Sequence, residues 1–163
     1  MIRELTIQRF SLASSKPFTD VLSAIDAAIG HPDLPAFSKQ LAAANTFAEV
    51  EAIVRDATGP TELMEFARMD LGAVLKKRIG PTARPCVRLI VGNPVIMSAM
   101  LQHTPDAGSY APVTILIDER PDSVHLSYNR MASYLADCGS PEPLKVAKAL
   151  DAKVETLLIA AAG

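Results

Sequence analysis

Tryptophan is absent from the chain, cysteine occurs twice, and aromatic residues make up only 5% of it. The two thiols, Cys86 and Cys138, form neither a C-x-x-C pair nor a zinc-type cluster, so they imply no disulfide framework or metal knuckle and read as core thiols. Charge of one sign is also missing. Sixteen Lys and Arg against 18 Asp and Glu leave a formal net charge of -2, which offers no basic footprint to nucleic acid or an anionic membrane. No apolar run approaches the about 20 residues of a bilayer span. The opening stretch MIRELTIQRF carries charges where a secretory signal would hold its apolar segment. These absences predict a cytoplasmic protein without nucleic-acid or membrane partners, and no cofactor is implied. A G-x-S-x-G elbow, a P-loop and a strand-linked G-x-G-x-x-G are likewise missing, which removes the usual sequence grounds for hydrolase, nucleotide or dinucleotide chemistry.

What is present is a foldable composition. With 163 residues, 49% apolar and 21% charged, the chain can bury a core without covalent staples, and one domain spanning 1–163 is expected. Leu5 to Ala13 reads as a first strand. Phe18, Val21, Leu22, Ile25 and Ile29 then recur at three- and four-residue steps behind Pro17, a helix that Gly30 is placed to stop. The text from His31 changes character. Pro35 to Ala44 reads as a short helix, and Thr46 with Glu49 forms a capping box for another through Phe47, Val50 and Val54. Residues of about 32–60 are therefore expected to be a helical insertion with its own small face of Phe37, Leu41, Phe47, Val50 and Val54.

Leu63 to Met69 suits a second strand, and Asp70 is placed to cap a helix carrying Leu71, Val74, Leu75 and Ile79. Lys76, Lys77 and Arg78 fall in its last turn, where cations favour the helix dipole. Cys86 to Val91 is apolar on both alternations except at Arg88, the pattern of a central strand. Asn93 as N-cap and Pro94 at the first position then open a helix apolar on most of its circumference, predicted to be deeply buried. Pro112 to Glu119 and Ser123 to Asn129 alternate about an Arg120-Pro121-Asp122 turn and predict a hairpin. A short helical turn near Met131 and a long helix from Pro141 close the chain. The fold class expected is α+β: a strand-helix unit plus a mainly antiparallel sheet, with helices packed on one face and the small helical insertion after the first helix.

The segments MDLGAVLKKRIG, RPCVRLIVGNP and PDAGSYAPVTILIDE, the last with its hairpin partner, together resemble the prokaryotic domain-of-unknown-function family 302. The resemblance covers roughly the first 30 residues and Leu63 to the C-terminus. It implies a fold and pairing as dimers, and no chemistry. Family members frequently show a Cys-Asn-Pro step after the central strand and a Pro-Cys step opening the next. This chain has Gly92-Asn93-Pro94 and Pro112-Val113, so any role imagined for that thiol pair does not transfer.

The most unusual text runs from Asp106, through Gly108, Ser109 and Tyr110, to Asp118, Glu119 and Arg120, with His125, Tyr128, Arg130 and Tyr134 behind it. A hairpin register that sets Asp118 near Ser123 or Val124 would bring Tyr110 and Arg130 together at its open end. With the helix start at Asn93 they would rim a cleft for an anion or carboxylate. The ligand-binding candidates are accordingly Asn93, Asp106, Tyr110, Asp118, His125, Tyr128 and Arg130. Their ordinary structural roles are ring packing for Tyr110, a carbonyl contact for Arg130 and helix capping for Asn93. Three functions follow: a homodimeric domain that binds a small polar or anionic ligand, an enzyme using Asp106 or Asp118 with His125 as acid and base, or a structural and interaction module. Binding ranks ahead of catalysis, and a dimer would bury an edge strand or the face around Phe37 and Phe47.

Overall fold

The structure is a computed structural model, and it describes residue 2 and residues 4–163. In chain order the elements are β1 (Arg9–Ser14), α1 (Phe18–Ala28), α2 (Leu34–Ala43), α3 (Phe47–Ala57), β2 (Met64–Asp70) and α4 (Leu71–Ile79), followed by β3 (Cys86–Gly92) and α5 (Pro94–Leu101). The hairpin β4 (Val113–Glu119) and β5 (Val124–Asn129), the one-turn α6 (Met131–Tyr134) and the long α7 (Pro141–Ala162) complete it. Short 3-10 turns occupy Gly80–Thr82 and Pro105–Ser109. The described residues thus form seven α-helices and one five-stranded sheet of order β1-β5-β4-β3-β2, antiparallel at every pairing. That is the α+β architecture expected, with β4 at its centre and β3 between β4 and the edge strand β2.

Period-two alternation divides the sheet. Val87, Leu89 and Val91 of β3, Val113, Ile115 and Ile117 of β4, and Val124, Leu126 and Tyr128 of β5 are buried, together with Val21 and Ile25 of α1 and the inner stripe of α7. Burial of that many branched side chains, each contributing about 1.5–3 kcal/mol, is what holds the helices on this face. The residues between them face the other way, onto a surface that no helix among the described residues spans, with Tyr134 of α6 at its margin.

Local capping follows the sequence closely. Thr46 and Glu49 make the reciprocal box of α3, Asp70 accepts from Ala73 N at 2.8 Å, and Asn93 accepts from Val95 N and Ile96 N at 2.8 and 3.2 Å. α2 and α3 form a pair closed at its base by two glycines. Both Gly30 N and Gly59 N donate to Leu63 O, and a Cβ on Gly30 would lie 2.0 Å from Ala57 O, so only glycine permits the approach. Phe37 and Val54 of this pair bury against Met64 and Phe66, whereas Phe47 is 56% exposed and takes no part in the small core.

The helix α5 departs from expectation. Of its residues only Met100 is fully buried; α7, α3 and the Pro105–Ser109 turn cover parts of its circumference, and Ile96, Ala99 and Gln102 line a groove toward α7. Its composition matches a helix surrounded on all sides, but the neighbours available surround it incompletely.

Candidate functional site

The uncovered face of the sheet carries Arg9 and Ser11 from β1, Ser127 and Asn129 from β5, Thr114 and Leu116 from β4, and Arg88 and Ile90 from β3. Polar contacts join several of them. Arg9 Nε donates to Asn129 Oδ1 at 2.9 Å, and Asn129 Nδ2 donates to the Tyr134 hydroxyl at 3.1 Å. The Tyr134 ring stacks on Tyr110 with centroids 4.4 Å apart and planes 13° from parallel. Arg88 Nη2 reaches Thr114 Oγ1 at 3.4 Å. A depression of about 490 Å³ lies between Arg88, Asn129, Tyr134 and Tyr110, and an adjoining one of about 220 Å³ between Arg9 and Arg88. Among the described residues neither Arg9 nor Arg88 forms an ion pair, while Arg68, Arg84, Arg120 and Arg130 all do. Two guanidiniums beside amide, hydroxyl and phenol groups make a surface matched to an anion with an apolar or planar body.

The structure disperses the residues singled out by sequence. Tyr110 is on this open face, but Arg130 turns to α7 on the helical side, where its Nε lies 2.8 Å from Glu155 Oε1 and 3.8 Å from Asp151 Oδ2, and its Nη1 donates to Gln8. The expected cleft of Asn93, Tyr110 and Arg130 therefore does not form, because successive strand residues point to opposite faces and Arg130 follows the outward-facing Asn129. Asn93 is occupied as a cap, donates to Glu62 O at 2.8 Å, and lines only a small crevice with Met97, Gly92 and Val113. The crevice is mostly apolar. Asp106 sits in the Pro105–Ser109 turn.

Asp118 and His125 are direct cross-strand partners, one residue further along β5 than expected, since residues 120–123 form the turn and Arg120 N donates to Ser123 O. They nevertheless make no hydrogen bond to each other. Asp118 binds Arg120 at 2.6 Å, and this contact raises the arginine above its ordinary pKa. His125 Nε2 meets both Ser123 Oγ at 3.0 Å and Asp122 Oδ2 at 3.3 Å. A serine-histidine-aspartate relay needs the two partners on different ring nitrogens, so this group has the residues of a relay without its geometry. Cys86, the next residue in the same row, is pushed up in pKa by partial burial and then by Asp118 and Asp70, which disfavours a nucleophilic thiolate. Among the described residues no three His, Cys, Asp or Glu are placed to hold a metal ion, and no helix is long and apolar enough to cross a membrane.

Tyr128 points into the core and forms the second notable group. Its hydroxyl donates to Asp151 Oδ1, a carboxylate with no exposed surface that also accepts from Met131 N at 2.7 Å and Ala132 N at 3.0 Å. Asp151 is thus a cap for α6 supplied by α7, distant in sequence. Burial, then the bond to Asp151, push the Tyr128 phenol well above the ordinary tyrosine range. Sequence reasoning missed Asp151, which sits on the apolar stripe of α7, and missed Arg9, Arg88 and Asn129. The signal for Arg88 was its place as the one charge in an apolar strand.

A comparison with curated proteins finds no match. Among solved structures, the crystal structure of an uncharacterized conserved DUF302 protein from Bacillus stearothermophilus matches with a TM-score of 0.64 at 10% identity, covering 94% of this chain and 97% of that one. At that identity the likeness is one of fold. The family model described as "Domain of unknown function DUF302" matches residues 37–161, from within α2 through nearly all of α7. With most of its length matched by that model and its fold shared with that structure, this chain belongs to the DUF302 family.

Proposed function

We propose that this protein binds a small anionic molecule on the open face of its sheet, acting as a homodimer in the cytoplasm. The observation carrying this reading is the pair of arginines, Arg9 and Arg88, that face one depression without a carboxylate partner among the described residues. A carboxylate or phosphate seated between them would gain charge-assisted hydrogen bonds of the strong class, with Asn129 and Thr114 as neutral supports. The stacked Tyr110 and Tyr134 flank the larger depression, where an attached apolar or planar body would rest. Of the sequence-derived set, Tyr110 lines the larger depression and Tyr128, whose ring turns to the core, borders the smaller one. The catalytic alternative has weaker support, because Asp118 and His125 each engage other groups.

The test is isothermal titration of inorganic phosphate and of succinate into the full chain. Binding should weaken about tenfold or more in Arg88→Ala and in Arg9→Ala, since each removes a charged hydrogen-bond donor worth about 1.5–3 kcal/mol. Tyr110→Ala should weaken larger aromatic carboxylates more than phosphate. Affinity for both anions that is absent in the wild type, or unchanged in both arginine variants, defeats this reading.

A further inference from the structure

The helix α4 holds its apolar residues outward. Leu71, Val74, Leu75 and Ile79 fall on one stripe at the spacing of a helix that packs against something, yet all four are exposed, Val74 at 71% and Ile79 at 50%. The helix is held to its own domain at Gly72 instead, where a Cβ would lie 2.8 Å from Cys86 N and the bare backbone lies close to Arg84, Pro85 and Cys86.

We infer that this surface is where a second copy of the chain docks, α4 against α4 in antiparallel fashion about a two-fold axis. The inference rests on the homodimer reading above and names its interface. Charge placement selects the second copy as the occupant. Asp70 stands at the start of α4, and Lys76, Lys77 and Arg78 occupy its last turn, none of them in an ion pair among the described residues. A two-fold axis across the stripe sets the basic end of each helix over the acidic start of the other and opposes the two helix dipoles, so one patch complements itself. The area is of the right order. The four apolar side chains expose roughly 330 Å² per copy, at the scale of the largest apolar patch on a typical monomer. With the stems of the three cations, this supplies about half or more of the ~800 Å² that each partner contributes to a standard interface.

Sedimentation velocity of the full chain across a range of concentrations tests this, with phosphate titration of the same samples. The wild type should sediment as a dimer. Val74→Glu and Leu75→Glu, each placing two carboxylates in the contact by symmetry, should weaken dimerisation by about a hundredfold or more. Val74→Leu should retain it, and Lys77→Glu or added salt should weaken it about tenfold or less. Because Val74 is mostly exposed in the single chain, circular dichroism of Val74→Glu should match the wild type. A dimeric wild type whose Val74→Glu and Leu75→Glu variants stay dimeric overturns the interface and leaves the homodimer standing. A wild type that is monomeric throughout overturns both, whatever the phosphate titration shows.

Discussion

Replacing Asp151 by Asn should destabilise the fold severely while leaving its volume unchanged. Asp151 Oδ1 accepts from the Tyr128 hydroxyl and from Met131 N at 2.7 Å, and Oδ2 accepts from Ala132 N at 3.0 Å with Arg130 Nε 3.8 Å away. An amide supplies one acceptor only, so either orientation sets an NH2 group against a buried N–H donor. The loss is at least one charge-assisted bond, about 1.5–3 kcal/mol, together with an unsatisfied donor in a site without water access, giving about 2–4 kcal/mol. Asp151→Ala should cost about 3–5 kcal/mol, the range for removing one member of a buried charged group. Tyr128→Phe, which leaves both backbone bonds to the carboxylate in place, should cost only about 1 kcal/mol. Urea titrations followed by far-ultraviolet circular dichroism, at one protein concentration, would show these as lower midpoints at constant m. For a chain of this size the Asn variant should lose about 5–15 °C in Tm. An Asn variant within about 0.5 kcal/mol of wild type, the range of an inert surface change, would refute the account of Asp151 as the cap of α6.

Three other outcomes follow from the geometry. The Tyr128 phenol is raised in the folded state, so its stabilising contribution is complete below the unfolded tyrosine pKa near 10 and is lost as pH rises above it; phenolate absorbance compared with Tyr128→Phe should show that this residue ionises only with unfolding. Gly59→Ala would place a Cβ 2.5 Å from Ile29 C, and since that atom is backbone the variant should lose about 2 kcal/mol or more in a denaturant titration. Asn93→Ala should cost about 1–2 kcal/mol through the lost cap, whereas Asn93→Asp keeps the acceptor for Val95 N and Ile96 N, loses only the bond to Glu62 O, and should cost less; equal losses would mean that capping is not the role of this side chain.

The legible parts of this fold are those whose physics is local. The caps at Thr46, Asp70 and Asn93 and the alternation of the β4-β5 hairpin each lie within a few residues of their partners, and each took the form the sequence indicates. The register of that hairpin was one residue off, because the text around Pro121 fits more than one turn length. What the sequence did not disclose depends on packing between distant segments. The stripe on α4 is plain in its spacing, but whether a neighbour covers it is a property of the assembled domain. Arg9 and Arg88 lie far apart along the chain and share a depression only because the strand order is β1-β5-β4-β3. Asp151 occupies a position on α7 that periodicity assigns to the core, and its partners belong to β5 and α6. A charge on an apolar stripe is the available signal for such a cap, though its partner cannot be named without the fold.

The joint at Gly30 and Gly59 has a bearing on how this chain can be altered. Both glycine N–H groups share one carbonyl, so the path leaves the sheet layer and returns to it through adjacent backbone, and the length of what lies between has little influence on where β2 begins. Closing a loop twice as long costs only about 0.6 kcal/mol more. Exchange of residues 31–58 for a shorter or longer segment is expected to leave the strands in place, provided the newcomer shields Met64, Phe66 and Val95, against which Phe37 and Val54 now pack. This makes the glycine pair a natural splice point for grafting a foreign helical hairpin, at a place remote in sequence from both Arg9 and Arg88.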